Sequence, residues 1–280
     1  MPSGTCRLCF APDVVLRDSH FVPRAYYKRF RERTLAHTEP VLASQEKSLL
    51  SGEQAHDYLL CEECEARFSR NGEKWVLENC WREPDDFPLR TRLIAAGPSS
   101  LSSGDLTIFE TVTMPGVDRD KLVYFSASVF WRAAVHDWHL PSGCPLRLSL
   151  GPYEDEFRRY LLGEREFPRN AVMLVTISRS MDEMNNKYVT FPWLYKHDGR
   201  ARQFKMIVPG IAFHLFVGRA LPPTVRSMCA ARSEQGFIYM SQRADKMNMH
   251  DNLALLKRAR RVGKLATKRG VILSDSTGTT

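Results

Sequence analysis

Residues 56–81 read HDYLLCEECEARFSRNGEKWVLENCW, and this stretch decides how the N-terminal part of the chain is built. A strand-like run leads into a Cys-x-x-Cys pair, Cys61 and Cys64. Beyond it Phe68 and Trp75 lie two turns apart, with Val76 and Cys80 near the same face, which is helical spacing. A second pair, Cys6 and Cys9 in CRLC, sits in a turn before the strand-like VVLRDSHFVP. Each pair can place two thiolates on one ion, and four thiolates close a tetrahedron about zinc with no open position. Cys6, Cys9, Cys61 and Cys64 are therefore expected to hold one structural Zn²⁺. The gap between the pairs is 51 residues, far longer than the roughly 15–20 of a simple zinc ribbon. Something sizeable is pinned between the two halves. A knuckle, a β-hairpin and a helix carrying the second knuckle predict a treble-clef arrangement.

The rest of the chain reads as mixed α+β. GPSSLSSGD, residues 97–105, is small, polar and turn-forming, so it is expected to link a zinc-bound module over 1–96 to an α+β region over 106–280. The second region opens with a strand, LTIFETVTM, then a helix around SASVFWRAAVHDW. Another helix, YEDEFRRYLLGE, precedes the β-branched run AVMLVTIS. His197-Asp198-Gly199 supplies a hairpin turn before QFKMIVPGIAFHLFVG. DNLALLKRARRVGKLA reads as a basic helix. Cys80, Cys144 and Cys229 stand alone and read as packing. His136 and His139, in HDWH, could share a helix face as ligands, but no partner cluster lies near in sequence, so packing is the reading.

Composition bounds the function. Of 280 residues, 43% are apolar and 26% charged, as in ordinary globular protein. No apolar run approaches the roughly 18 residues of a membrane span. The opening MPSGTCRLCFAPD lacks the basic and apolar regions of a secretory signal. A cytoplasmic setting is expected, where thiols stay reduced and grouped cysteines bind metal. Forty Lys plus Arg against 32 Asp plus Glu leave a net charge of +8, which favours polyanionic partners. Two segments concentrate it. Arg24, Lys28, Arg29, Arg31 and Arg33 follow SHFVP with Tyr26, Tyr27 and Phe30 interleaved, and Lys257, Arg258, Arg260 and Arg261 crowd the C-terminal segment. Both suit phosphate contacts, and both equally suit a solvated amphipathic helix.

CRLC, then SHFVP, then HDYLLCEECE resembles the zinc-stapled, four-cysteine branch of the HNH endonucleases, the ββα-metal nucleases. That branch reads C-x-x-C, then D-H-x-x-P, then N-x-x-x-L-C-x-x-C-H, and the resemblance covers residues 6 to 75. It implies that His20 is the general base, since a neutral imidazole can take a proton from an attacking water. His56 falls where the family has its central Asn. Glu65 falls where the family has a His or Asn that binds the catalytic metal, and a carboxylate is a competent ligand for Mg²⁺ or Mn²⁺. That ion would polarise the scissile phosphate.

The sequence departs from the motif at one telling place. Where the family has Asp or His before the catalytic His, this chain has Ser19, a weak neutral ligand. Asp18 is one position off and on a strand points to the other face. Glu73 lies eight residues from Glu65, about 12 Å along a helix, too far for both to grip one ion. The expectation is thus a metal-dependent nuclease acting on DNA, RNA not excluded, with His20, His56 and Glu65 catalytic and Glu65 and Ser19 on the divalent ion. The alternative is a non-catalytic zinc-stabilised nucleic-acid-binding protein; a third is a zinc-folded module that binds a protein partner or a second copy of the chain.

Overall fold

A computed structural model of the chain describes residues 1–33, 41–43, 47–50, 55–83, 86–139, 145–179, 188–227, 229–231, 234–258 and 260–262. The first elements are β1 (Ser3–Gly4), β2 (Val14–His20), α1 (Arg24–Arg33), β3 (Val41–Ala43), β4 (Lys47–Leu50) and β5 (His56–Cys61). β1, β2 and β5 form an antiparallel sheet in that order. Cys61 ends β5, and the chain turns directly into one continuous helical rod: α2 (Glu62–Phe68), a π-helical turn (Ser69–Glu73) and α3 (Lys74–Asn79). Cys64, Phe68, Val76 and Cys80 are buried along it, as their spacing predicts.

Next come α4 (Pro88–Ala96), β6 (Thr107–Glu110), α5 (Arg119–Val135), β7 (Trp138–His139), β8 (Pro145–Leu146) and α6 (Tyr153–Leu162). They are followed by β9 (Ala171–Ile177), β10 (Tyr188–Thr190), β11 (Trp193–His197), β12 (Ala201–Val208), β13 (Ile211–Gly218), α7 (Pro223–Ser227), β14 (Phe237–Met240), α8 (Gln242–Arg258) and β15 (Arg260–Val262). The fold is mixed α+β. Among the described residues no helix is long and apolar enough to cross a membrane.

Six strands make the main sheet, in the order β11-β12-β13-β9-β14-β6. Period-2 alternation sorts its residues. Phe204, Met206 and Val208 of β12, Phe213 and Leu215 of β13 and Met173 and Val175 of β9 join the principal core. The intervening Ile207 and Ala212 face the other way, where Trp193 and Leu255 of α8 cover them. The β11–β12 hairpin turns where HDG predicts: Asp198 Oδ1 accepts from the backbone N–H groups of Arg200 and Ala201, and Gly199 holds φ 82.

α5 is buried on every side from Leu122 to Ala134, the place of a helix with no polar face. The rod of α2 and α3 lies against it. Phe68 meets Trp131 edge-on at 6.1 Å, and Phe125 packs near Tyr26, which itself stacks on Trp81 at 5.5 Å. Closest approach falls at Gly72 in the π-helical turn. A Cβ there would stand 2.8 Å from the backbone nitrogen of Phe125 and 3.0 Å from the carbonyl of Lys121. Backbone cannot swing aside as a side chain can, so Gly72→Ala is expected to destabilise by about 1–3 kcal/mol, read as a lowered urea midpoint.

Residues on both sides of segment 97–105 share one core: Cys6, Leu60 and Phe68 belong to the same buried cluster as Phe125, Met173 and Phe213. Its last residue is also anchored. Asp105 accepts from Ser241 Oγ and from the backbone N–H groups of Gln242 and Arg243, capping α8 from a distance, and these bonds hold its carboxyl below the usual range. One expectation is corrected here: the C-terminal basic segment is not one helix. α8 ends at Arg258, and Arg260–Val262 pairs parallel with β4, because β4 offers an edge to fill. Residues 263–280 and Cys144 lie outside the described residues.

Candidate metal centre

The four cysteines meet as the spacing predicts. The Sγ atoms of Cys6, Cys9, Cys61 and Cys64 all lie within 4.8 Å of one another. The Cys9 and Cys61 sulfurs are 3.9 Å apart, close to the about 3.8 Å edge of a tetrahedron with Zn–S bonds of 2.3 Å. The first pair is shaped by a tight turn: Phe10 N–H donates to the Cys6 carbonyl, and Cys6 N–H to Ala11. Phe10 there takes the left-handed conformation, φ 61. The Cys61 N–H donates to Cys6 Sγ at 3.3 Å, and Arg7 N–H ties the knuckle to Leu59. The Cys6 thiol is pulled down because the Cys64 S–H donates to it, and Cys64 is pushed up correspondingly. A divalent cation would take the place of the proton these sulfurs share. Soft, closely spaced thiolates fit Zn²⁺.

Behind this centre, strand alternation separates the residues that the HNH resemblance groups. Arg17 and Ser19 face the rod: Arg17 Nη2 donates to Glu62 Oε2 at 2.6 Å, and Ser19 Oγ donates to Glu65 Oε1. Asp18 and His20 face the opposite side with His56, whose Nδ1 is 2.6 Å from Asp18 Oδ1. His20 and His56 are cross-strand partners with rings stacked at 5.4 Å. The structure therefore joins Ser19 to Glu65 and His20 to His56. It does not join the two pairs. Within the outer pair, His20 Nδ1 lies 3.2 Å from the Asp18 carbonyl, which can only accept, so Nδ1 is the donor of that bond.

Glu65 and Ser19, the pair expected on a divalent ion, lie in surroundings of a definite kind. Ser19 is fully buried, and burial raises the Glu65 carboxyl above its usual value despite the Ser19 hydrogen bond and the charge of Arg132. The cation beside Glu65 belongs to the protein. Arg132, 1% exposed, places Nη2 2.7 Å from Glu73 Oε1 and Nη1 2.7 Å from the His20 carbonyl, with its guanidinium over the Phe68 ring. Glu65 and Glu73 thus share the field of one guanidinium. Among the described residues, the four cysteines are the one group of three or more His, Cys, Asp or Glu side chains close enough to hold a metal ion. Arg132 was signalled in the sequence as a lone charge inside the apolar run SASVFWRAAV, although nothing there names its partners.

The expected nucleic-acid contacts divide. Arg24 and Lys28 of α1 are exposed, as is Lys257 of α8. Arg29 is spent inside the protein, donating to the carbonyls of Leu77 and Trp81 at the end of α3. Tyr26 is wholly buried and cannot stack on a base. The side chains of Tyr27, Phe30, Arg31, Arg33, Arg258, Arg260 and Arg261 lie outside the described residues. His136 and His139 do not share a helix face, because α5 ends at Val135. His136 Nε2 instead sits 2.9 Å from Asp57 Oδ2, a hydrogen bond bridging β5 and the end of α5.

No protein-family model, curated protein or solved structure matches this chain.

Proposed function

We propose that this chain is a zinc-stapled nucleic-acid-binding protein, built on an HNH-like treble-clef module whose hydrolytic metal position is closed by Arg132. One observation carries the reading: the guanidinium is buried between Glu73, the His20 carbonyl and the neighbourhood of Glu65. A hard divalent ion at Glu65 would have to displace a charge that the fold itself supplies, with one carboxylate and a buried hydroxyl as ligands. Zn²⁺ on the four cysteines has a structural role, since four thiolates leave no position for substrate. The net charge of +8 and the exposed Arg24, Lys28 and Lys257 support a polyanionic partner, DNA or RNA, in a reducing, cytoplasmic setting.

A second reading, divalent-dependent hydrolysis with His20 as base, draws on the Nδ1 bond to the Asp18 carbonyl and the stacked His56 ring, which together orient the imidazole. The two part in one assay. Zinc-loaded protein is incubated with supercoiled DNA and Mg²⁺, Mn²⁺ or EDTA, beside His20→Ala, while binding to DNA and RNA is followed across salt. The expected result is binding that weakens as salt rises, with no divalent-dependent nicking. Nicking that His20→Ala slows by about 10²–10⁴ would replace this reading with the hydrolytic one.

A further inference from the structure

A cleft of about 470 Å³ opens between the first zinc knuckle and the body of the protein, within the range of about 300–1,000 Å³ typical of small-ligand sites. Its walls come from the knuckle (Arg7, Phe10), the end of α5 (Trp131), β7 (His139) and α6 (Glu154). Most of its other charges are matched internally. Asp57 pairs with His136, Arg147 lies 3.6 Å from Asp137, and Arg158 lies 2.8 Å from Asp155.

What remains is a set of unlike groups. Arg7 and Glu154 offer a cation and an anion at the wall, and among the described residues neither side chain has a hydrogen bond or ion pair. Phe10 is 56% exposed, held outward by its left-handed backbone, with the Arg158 guanidinium over its ring at 4.4 Å. A flat ring can stack on such a phenyl group.

One ligand chemistry uses these groups together. We infer that this cleft takes a nucleoside monophosphate unit, with the phosphate on Arg7, a base against Phe10 and a hydroxyl or amine on Glu154. The unit can come as free nucleotide or as one residue of a single strand. The inference rests on the nucleic-acid-binding reading and names the part of the strand that is held.

The test uses zinc-loaded full-length protein. Ribo- and deoxyribonucleoside monophosphates and inorganic phosphate are titrated by calorimetry, and each is used to displace a fluorescent single-stranded oligonucleotide. Mononucleotide should bind and displace the strand. Arg7→Ala should weaken both by about tenfold, and Phe10→Ala should weaken nucleotide by about tenfold and leave inorganic phosphate unaffected. Glu154→Gln, on α6 and outside the knuckle, should also weaken nucleotide; zinc content verifies the knuckle in every case. Strand binding that no mononucleotide competes, with all three variants unchanged, overturns the inference and leaves the binding reading intact. Nucleotide binding without strand binding supports the cleft and overturns that reading. Inorganic phosphate competing as well as nucleotide overturns the assignment of a base site.

Discussion

Stripping the metal is expected to unfold far more than the knuckles. Cys6 and Cys64 are buried in the same apolar cluster as the central helix and sheet, so the zinc lobe has no separate core to fall back on. Structural zinc in small modules binds with about 10–16 kcal/mol of apparent free energy, comparable to the whole stability of a typical domain, about 5–15 kcal/mol. Chelated protein, and Cys61→Ser, should therefore melt more than about 10 °C below the parent. Differential scanning calorimetry with elemental analysis checks this. An unchanged midpoint in zinc-free protein would remove the metal from any role in folding.

Arg132→Met should be the most damaging single change outside the cysteines. It takes the guanidinium away from Glu73 and from the His20 carbonyl at a site where Arg132 itself is buried. Breaking a buried pair from one side typically costs about 3–5 kcal/mol, whereas replacing both charges is often neutral. Arg132→Met with Glu73→Leu should then recover most of the loss, measured by urea denaturation. The sign of the pH dependence follows from Glu65. Its folded-state carboxyl is already raised by burial, and Arg132 is one of the groups that hold it down. Without Arg132 it rises further, so the folded state keeps a proton that the unfolded chain has released. Stability then falls as pH climbs from the unfolded carboxylate range through the raised folded value. The deficit of Arg132→Met should be largest at pH 7 and smaller near pH 4; the same deficit at both would mean that lost packing against Phe68, not charge, explains it.

Much of this was legible because it is written locally. The spacing of Cys6, Cys9, Cys61 and Cys64 specifies a shared ion before any fold is known, and the structure brings their sulfurs together. The HDG turn, the strand 171–177 and the helix built on SASVFWRAAV follow from period and turn chemistry. What was hidden is tertiary. Nothing near Arg132 in sequence announces Glu73 or the carbonyl of His20, which are brought to it by the packing of distant elements. Arg29 looked like a phosphate contact because its use at the end of α3 depends on a helix 48 residues away. Ser19 and His20, neighbours in the motif, are sent to opposite faces by strand alternation, one to Glu65 and the other to His56.

The small second sheet has a consequence for how the chain is made. Its order is β10-β3-β4-β15: Val41–Ala43 pairs parallel with Tyr188–Thr190, and Lys47–Leu50 pairs parallel with Arg260–Val262. During synthesis the hairpin of β3 and β4 emerges early and must wait for partners made well over a hundred residues later. Until then both its edges are open, an invitation to pair with another chain. Closing such long loops is slow, since their entropy is spent before the contacts form. The last described strand is thus also the last stitch. A ribosome-bound chain truncated before Arg260 should hold a complete set of zinc ligands beside an unfinished sheet, which is where assistance from a chaperone would matter most.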